Sequence, residues 1–281
     1  MKRACAVAFV IFLALVQSWG HGDVHLQIEE VTKQIEKEPR NALLYLKRGE
    51  LFRAHGEWDS ALADFERVGA IDPKLDIIDF SRGKVFFEAN WPQSAKIVLD
   101  RFLARHTNHV DALSLRARCQ VKLGQRLAAA RDFTSAIGFS DEPQPELYLE
   151  RAQALTDEGP AHYQQAMLGL EEGIKKLGPL ITFQLYAIDL ELKQKQYDTA
   201  LARLEKVSAA SPRKETWLAR KGEILQLAGH TPEACEAFRA ALKAISQLPE
   251  QRRNVPAMVE LEKRVKAVLE ALEKNRTAQS K

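Results

Sequence analysis

Residues 42–75 read ALLYLKRGELFRAHGEWDSALADFERVGAIDPKL, and this stretch decides the fold. A small residue, Gly49, stands twelve positions before Ala61, and the bulky Phe65 follows Ala61 by four. Pro73 closes the unit. The same arrangement returns along the chain. Alanines fall at Ala61, Ala95, Ala129, Ala166, Ala200 and Ala234, with spacings of 34, 34, 37, 34 and 34. Four residues after each sits Phe65, Leu99, Phe133, Leu170, Leu204 or Phe238, and a small residue precedes most of them at Gly49, Gly83, Ala117 and Gly222. Ala152 takes that place in the fourth copy after two extra residues, while Ile188 breaks the rule in the fifth. Repetition at such a period marks stacked supersecondary units that gain their core from their neighbours.

The pattern resembles the tetratricopeptide repeat, whose unit of 34 residues is a pair of antiparallel helices. Tyr45, Gly49, Phe52, Ala61, Phe65 and Pro73 stand at the family's offsets, as do Leu218, Gly222, Leu225, Ala234 and Phe238 in the last unit, where Ser246 replaces a frequent proline. The resemblance covers residues 42–248 and implies an all-α fold, a right-handed α-solenoid of about six helical hairpins. Their limits fall near 42–75, 76–109, 110–144, 145–180, 181–214 and 215–248. Small residues at Gly49 and Ala61 let paired helices approach closely, and Phe65 fills the gap beside them. Ile188 should push the fifth pair apart or shift its register. Pro73 and Pro212 should stop second helices.

Both ends read as caps. Val24, Ile28, Val31 and Ile35 place an apolar stripe on a short helix within residues 21–41, with Asp23 as its N-cap and Pro39 as its stop. Met258, Leu261, Val265, Val268 and Leu272 do the same within 249–274, where a coiled-coil helix is the competing reading. Residues 275–281 should form a loose tail containing a glycosylation sequon at Asn275-Arg276-Thr277. Thr156-Asp157-Glu158-Gly159-Pro160 lengthens the turn of the fourth unit, either as a partner-contacting protrusion or as tolerated loop drift.

The first twenty residues carry a different signal. Lys2 and Arg3 precede an unbroken apolar run from Ala4 to Val16, and Ser18-Trp19-Gly20 offers small residues for cleavage. Residues 1–20 are expected to be a signal peptide. Cleavage after Gly22 and a retained anchor are the alternatives, and an exported protein, periplasmic or secreted, follows. Thirteen apolar residues are too few to span a bilayer comfortably, and nothing after residue 23 suggests a span. The chain's 41 basic residues exceed its 38 acidic ones only slightly, and two of the basic ones lie in the leader. A nearly neutral remainder lacks the footprint of a nucleic-acid binder. Cys119 and Cys235 lie three repeats apart, so they read as small buried hydrophobes instead of a disulfide.

Catalytic signatures are missing: the chain holds no GxSxG, GxxxxGK, HExxH or CxxC. It reads as a non-enzyme without a cofactor. Carrying over the family's groove offsets assigns a partner-binding face to Lys47, Glu50, Arg53, Lys84, Phe87, Arg118, Lys122, Tyr186 and Arg220, joined by Gln153, Asp189, Lys193 and Glu223. Lys84, Arg118 and Lys122 would form a basic stretch suited to an acidic segment of a protein or peptide, with Phe87 and Tyr186 as aromatic anchors. Glu50 and Lys84 stand where the family's carboxylate clamp needs asparagine, which argues against recognition of a terminal carboxylate. The leading reading is an exported interaction scaffold, with assembly of an envelope complex as one role. The alternative is a copper-handling accessory protein gripping the ion through His21, His25 and a freed N-terminal amine. His106 and His109 read as turn residues.

Overall fold

The structure, a computed structural model, describes residues 23–209, 211 and 213–279. The expected signal peptide, His21 and Pro212 lie outside the described residues. Every regular element among the described residues is helical. Helix α1 spans 23–37. It is followed by the pairs α2 (Ala42–His55) with α3 (Trp58–Ile71), α4 (Ile77–Glu88) with α5 (Pro92–Leu103), and α6 (Val110–Lys122) with α7 (Arg126–Phe139). Then come α8 (Pro145–Glu158), a 3-10 turn (Pro160–His162) and α9 (Tyr163–Leu177). The pairs α10 (Ile181–Lys193) with α11 (Tyr197–Ala209) and α12 (Lys214–Leu227) with α13 (Thr231–Ser246) lead into α14 (Glu250–Arg253) and α15 (Pro256–Gln279). The chain divides into two compact units between Leu147 and Tyr148.

Local chemistry sets the helix limits. The Asn41 side chain accepts a hydrogen bond from the Leu43 backbone N–H at 3.2 Å, capping α2. Gly56 ends that helix at φ 82° and turns its N–H back to the Arg53 carbonyl. This left-handed position recurs: Gly56, Asn90 and Gly124 are spaced by 34, as are Lys195 and Gly229. Each separates the two helices of a hairpin. Asparagine tolerates the conformation through its short polar side chain, whereas Lys195 holds it without that help.

The close crossings are built as the sequence implies. A Cβ added to Gly49 would lie 2.5 Å from the Phe65 ring, and one added to Gly222 would lie 2.6 Å from the Phe238 ring. Neither glycine can carry a side chain without moving its neighbour. In the fifth pair Ile188 is completely buried in a cluster with Ala200, Leu204 and Ile224, so its own side chain occupies the crossing. In unit one, Val31 and Ile35 of α1 join Tyr45, Phe65, Val68 and Ile78 in one apolar cluster. In unit two, Leu261, Val265 and Leu269 of α15 cover Phe238, Ala241 and Ile245. The two terminal helices thus close hairpin faces that water would otherwise reach.

Three details depart from expectation. Helix α15 runs through Gln279 instead of loosening at residue 275. Neither Gly nor Pro follows Pro256 to stop it, and Lys, Arg, Ala and Gln sustain it. Thr156, Asp157 and Glu158 belong to α8, and the extra residues are absorbed at Gly159, whose φ of 133° only glycine accepts readily, and in the short 3-10 turn. Asp23 is already helical, so it does not cap α1 from outside.

Candidate functional site

In unit one the first helices α2, α4 and α6 lie beside one another. This adjacency brings Lys47, Glu50, Arg53, Lys84, Phe87, Arg118 and Lys122 onto consecutive helices, four from α4 and α6 and three from α2. Their charges are not independent. Glu50 accepts from Lys84 Nζ at 2.7 Å, from Ser81 Oγ at 2.6 Å and from Arg53 Nε at 2.8 Å. Burial alone would raise the Glu50 carboxyl. The hydrogen bonds from Lys84, Ser81 and Arg53 outweigh it and hold the group below its ordinary value. Arg53 also reaches Glu88 of the next hairpin.

Further along, Lys122 Nζ donates to Asn90 Oδ1 at 2.7 Å and sits 4.8 Å from the centre of the Phe87 ring. Lys84 Nζ lies 5.2 Å from the Phe80 ring. Lys84 and Lys122 therefore sit in a cross-helix ladder in which cations meet carboxylate, amide and aromatic groups. Lys47 is exposed at its start. The ladder fixes long side chains that would otherwise be mobile, so less ordering remains for a partner to impose.

Tyr186 and Arg220 belong to unit two. Tyr186 is half-buried with its hydroxyl beside Thr156, and burial pushes its phenol up. Arg220 bridges Asp189 and, at 3.0 Å, Glu223, which also lies 3.3 Å from Arg264 of α15. Lys193 is exposed, 5.8 Å from the Tyr163 ring, and Gln153 is exposed on α8.

Two partly buried clamps went unread in the sequence. Arg48 grips Asp64 through Nε at 2.8 Å and Nη2 at 2.7 Å, and its Nη1 reaches Thr32 of α1 at 3.1 Å. Arg116 grips Asp132 through the same two nitrogens at 2.7 Å each, and its Nη1 reaches Asp100 of α5 at 3.0 Å. Arg48 and Arg116 stand one residue before the small positions Gly49 and Ala117. Asp64 and Asp132 stand three after the alanines. That coincidence over two repeats was the available signal.

The histidines separate. His106 pairs with Asp76 at 2.7 Å, and the His109 imidazole caps α6 by accepting from the Ala112 N–H at 3.2 Å, so both serve turns as expected. His25 instead faces His55 and Glu57. No helix among the described residues is long and apolar enough to cross a membrane.

Residues 161–258 match the family model of the tetratricopeptide repeat-like domain. No curated protein sequence matches the chain. Among solved structures, the C-terminal part of a tetratricopeptide repeat-containing protein from Cytophaga hutchinsonii aligns with a TM-score of 0.66 at 15% identity, over 81% of this chain and 93% of that one. PilW, described as a widely conserved type IV pilus biogenesis factor, gives 0.54 at 18% identity over 67% and 86%. A tetratricopeptide repeat protein from Parabacteroides merdae gives 0.53 at 19% over 87% and 93%. At these identities the likeness is one of fold.

Proposed function

We propose that this chain, whose hairpins carry the tetratricopeptide-repeat fold, is a scaffold that holds an acidic segment of a partner protein on the α2–α4–α6 face. One observation carries the reading: Arg53 and Lys84 are matched by Glu50 and Glu88, while the exposed Lys47 and the Lys122 ammonium, which meets the neutral Asn90 and the Phe87 ring, add positive charge on the same helices. Such a row, pre-ordered across three helices and flanked by the Phe87 ring, suits alternating carboxylates and an apolar side chain. The fold is one that typically serves as a scaffold without chemistry of its own, and we read the chain as a non-enzyme. Tyr186 and Arg220 offer a second polar face in unit two. Its mixed charges, with Asp189 and Glu223 around Arg220, favour a neutral or mixed partner surface.

The leader of residues 1–20 supports export, and a scaffold outside the cytoplasm has assembly of an envelope complex as a fitting role. A labelled glutamate-rich peptide carrying one tryptophan, titrated into the full chain and followed by anisotropy, tests the binding face. Lys84→Glu and Lys122→Glu should each weaken binding about tenfold, equivalent to about 1.4 kcal/mol. Added salt should weaken the wild type in parallel. Binding indifferent to both reversals would remove the face from α2–α4–α6. Fractionation of the expressing cell would decide the compartment.

A further inference from the structure

We propose that His25, His55 and Glu57 form a binding site for a divalent transition-metal ion that fastens α1 to the first hairpin. The three residues come from separate places: the first described turn of α1, the last residue of α2 and the residue preceding α3. Gly56 makes the link between the last two. Its left-handed backbone reverses the chain sharply enough for His55 and Glu57 to point the same way.

The donor atoms are already close. One ligand atom from each residue lies within 4.8 Å of the other two. His55 Nδ1 and Glu57 Oε1 are 2.9 Å apart, and the His25 and His55 ring centres are 4.3 Å apart at an interplanar angle of 64°. Metal–nitrogen and metal–oxygen distances of about 2.0–2.2 Å place neighbouring ligands of one tetrahedral ion roughly 3.3 Å apart. The His55–Glu57 pair meets that separation nearly as it stands. His25 is exposed on one helical turn, so rotation of its side chain closes the remaining gap without moving backbone.

The donor set selects the class of ion. Two imidazoles and one carboxylate suit zinc, copper(II) or nickel(II), whereas calcium and magnesium require oxygen ligands throughout. Three protein ligands leave a fourth position for water or for a group from a partner. The site differs from the copper grip read in the leader, because it needs neither His21 nor a freed amine.

Zinc chloride titrated calorimetrically into the full chain should show one saturable site per chain, accompanied by a rise in melting temperature. His25→Ala changes an exposed residue, and Glu57→Gln keeps shape while removing charge. Each should weaken the site at least tenfold, the scale seen when metal sites lose a supporting group, and should abolish the melting shift. Circular dichroism without metal confirms that both variants fold. His21→Ala and His106→Ala should leave binding intact. The absence of a one-to-one site, persistence of binding in both His25→Ala and Glu57→Gln, or its loss in His21→Ala would each overturn the assignment.

Discussion

Replacing Gly49 by alanine tests the packing logic most directly, because two opposing effects can be sized. In a helix interior the change should gain about 1 kcal/mol from backbone propensity. At Gly49, however, the new methyl carbon would stand 2.5, 2.8 and 3.2 Å from three atoms of the Phe65 ring. Carbon atoms pack favourably at about 3.5–4.0 Å, so the ring must retreat by about 1 Å. Phe65 is completely buried in the cluster with Val31, Tyr45 and Val68 and has no open side. Overpacking of this kind costs about 1–3 kcal/mol, and the severity of the overlap places it in the upper part of that range. The net expectation is a loss of about 1–2 kcal/mol.

Gly138 provides the control, since nothing lies within 4 Å of an added methyl there. Gly138→Ala should be neutral to stabilising, by up to about 1 kcal/mol. Urea unfolding followed by helical circular dichroism reads both as shifts in midpoint at unchanged slope. If Gly49→Ala matched or exceeded the wild type while Gly138→Ala gained stability, the close crossing at Phe65 would not be a constraint, and the account of the repeat would fail.

Asp132→Ala should cost about 1–3 kcal/mol, because it leaves the buried Gln120 amide without its acceptor and Arg116, about one-fifth exposed, with Asp100 alone. Glu262→Ala, which breaks an exposed pair with Lys266, should cost under about 1 kcal/mol in the same urea assay. Glu50 is held below its ordinary value of 4.5 when folded, so its contribution is fully present above that pH and is lost as pH falls through the folded value. Glu50→Gln should accordingly flatten the acid limb of a stability–pH curve and leave the slope near neutrality unchanged. Burial pushes the Cys119 thiol up to about 11. Native chain treated with iodoacetamide at pH 8 should keep its Cys119 peptide unmodified by mass spectrometry, and denatured chain should alkylate it.

The helical pairs were legible because their defining residues, Gly49 with Phe65 and Gly222 with Phe238, satisfy a steric rule that spacing alone reveals. For the face proposed in unit one, the sequence showed which residues fall on the consecutive first helices but not how their charges pair. The sequence shows Lys84 and Glu50 as two charges on different repeats, and only their 2.7 Å approach turns a basic stretch into a ladder. The clamps at Asp64 and Asp132 escaped because a carboxylate near an apolar helix face reads as solvated until its arginine, sixteen residues earlier, is seen to cover it. The His25 grouping joins residues about thirty positions apart, a distance that helix periodicity says nothing about. The end of α15 was misjudged for a simpler reason, since no residue there compels a stop.

The third nitrogen of each clamp arginine has an effect on how unit one comes apart. Arg48 ties α1, α2 and α3 at a single guanidinium, and Arg116 ties α5, α6 and α7. A nick or a tug that peels off α1 therefore also loosens Arg48, exposing the pair that staples the next hairpin. Damage at that end should spread inward in steps instead of stopping at the first loop, which makes α1 the natural latch to guard against proteases.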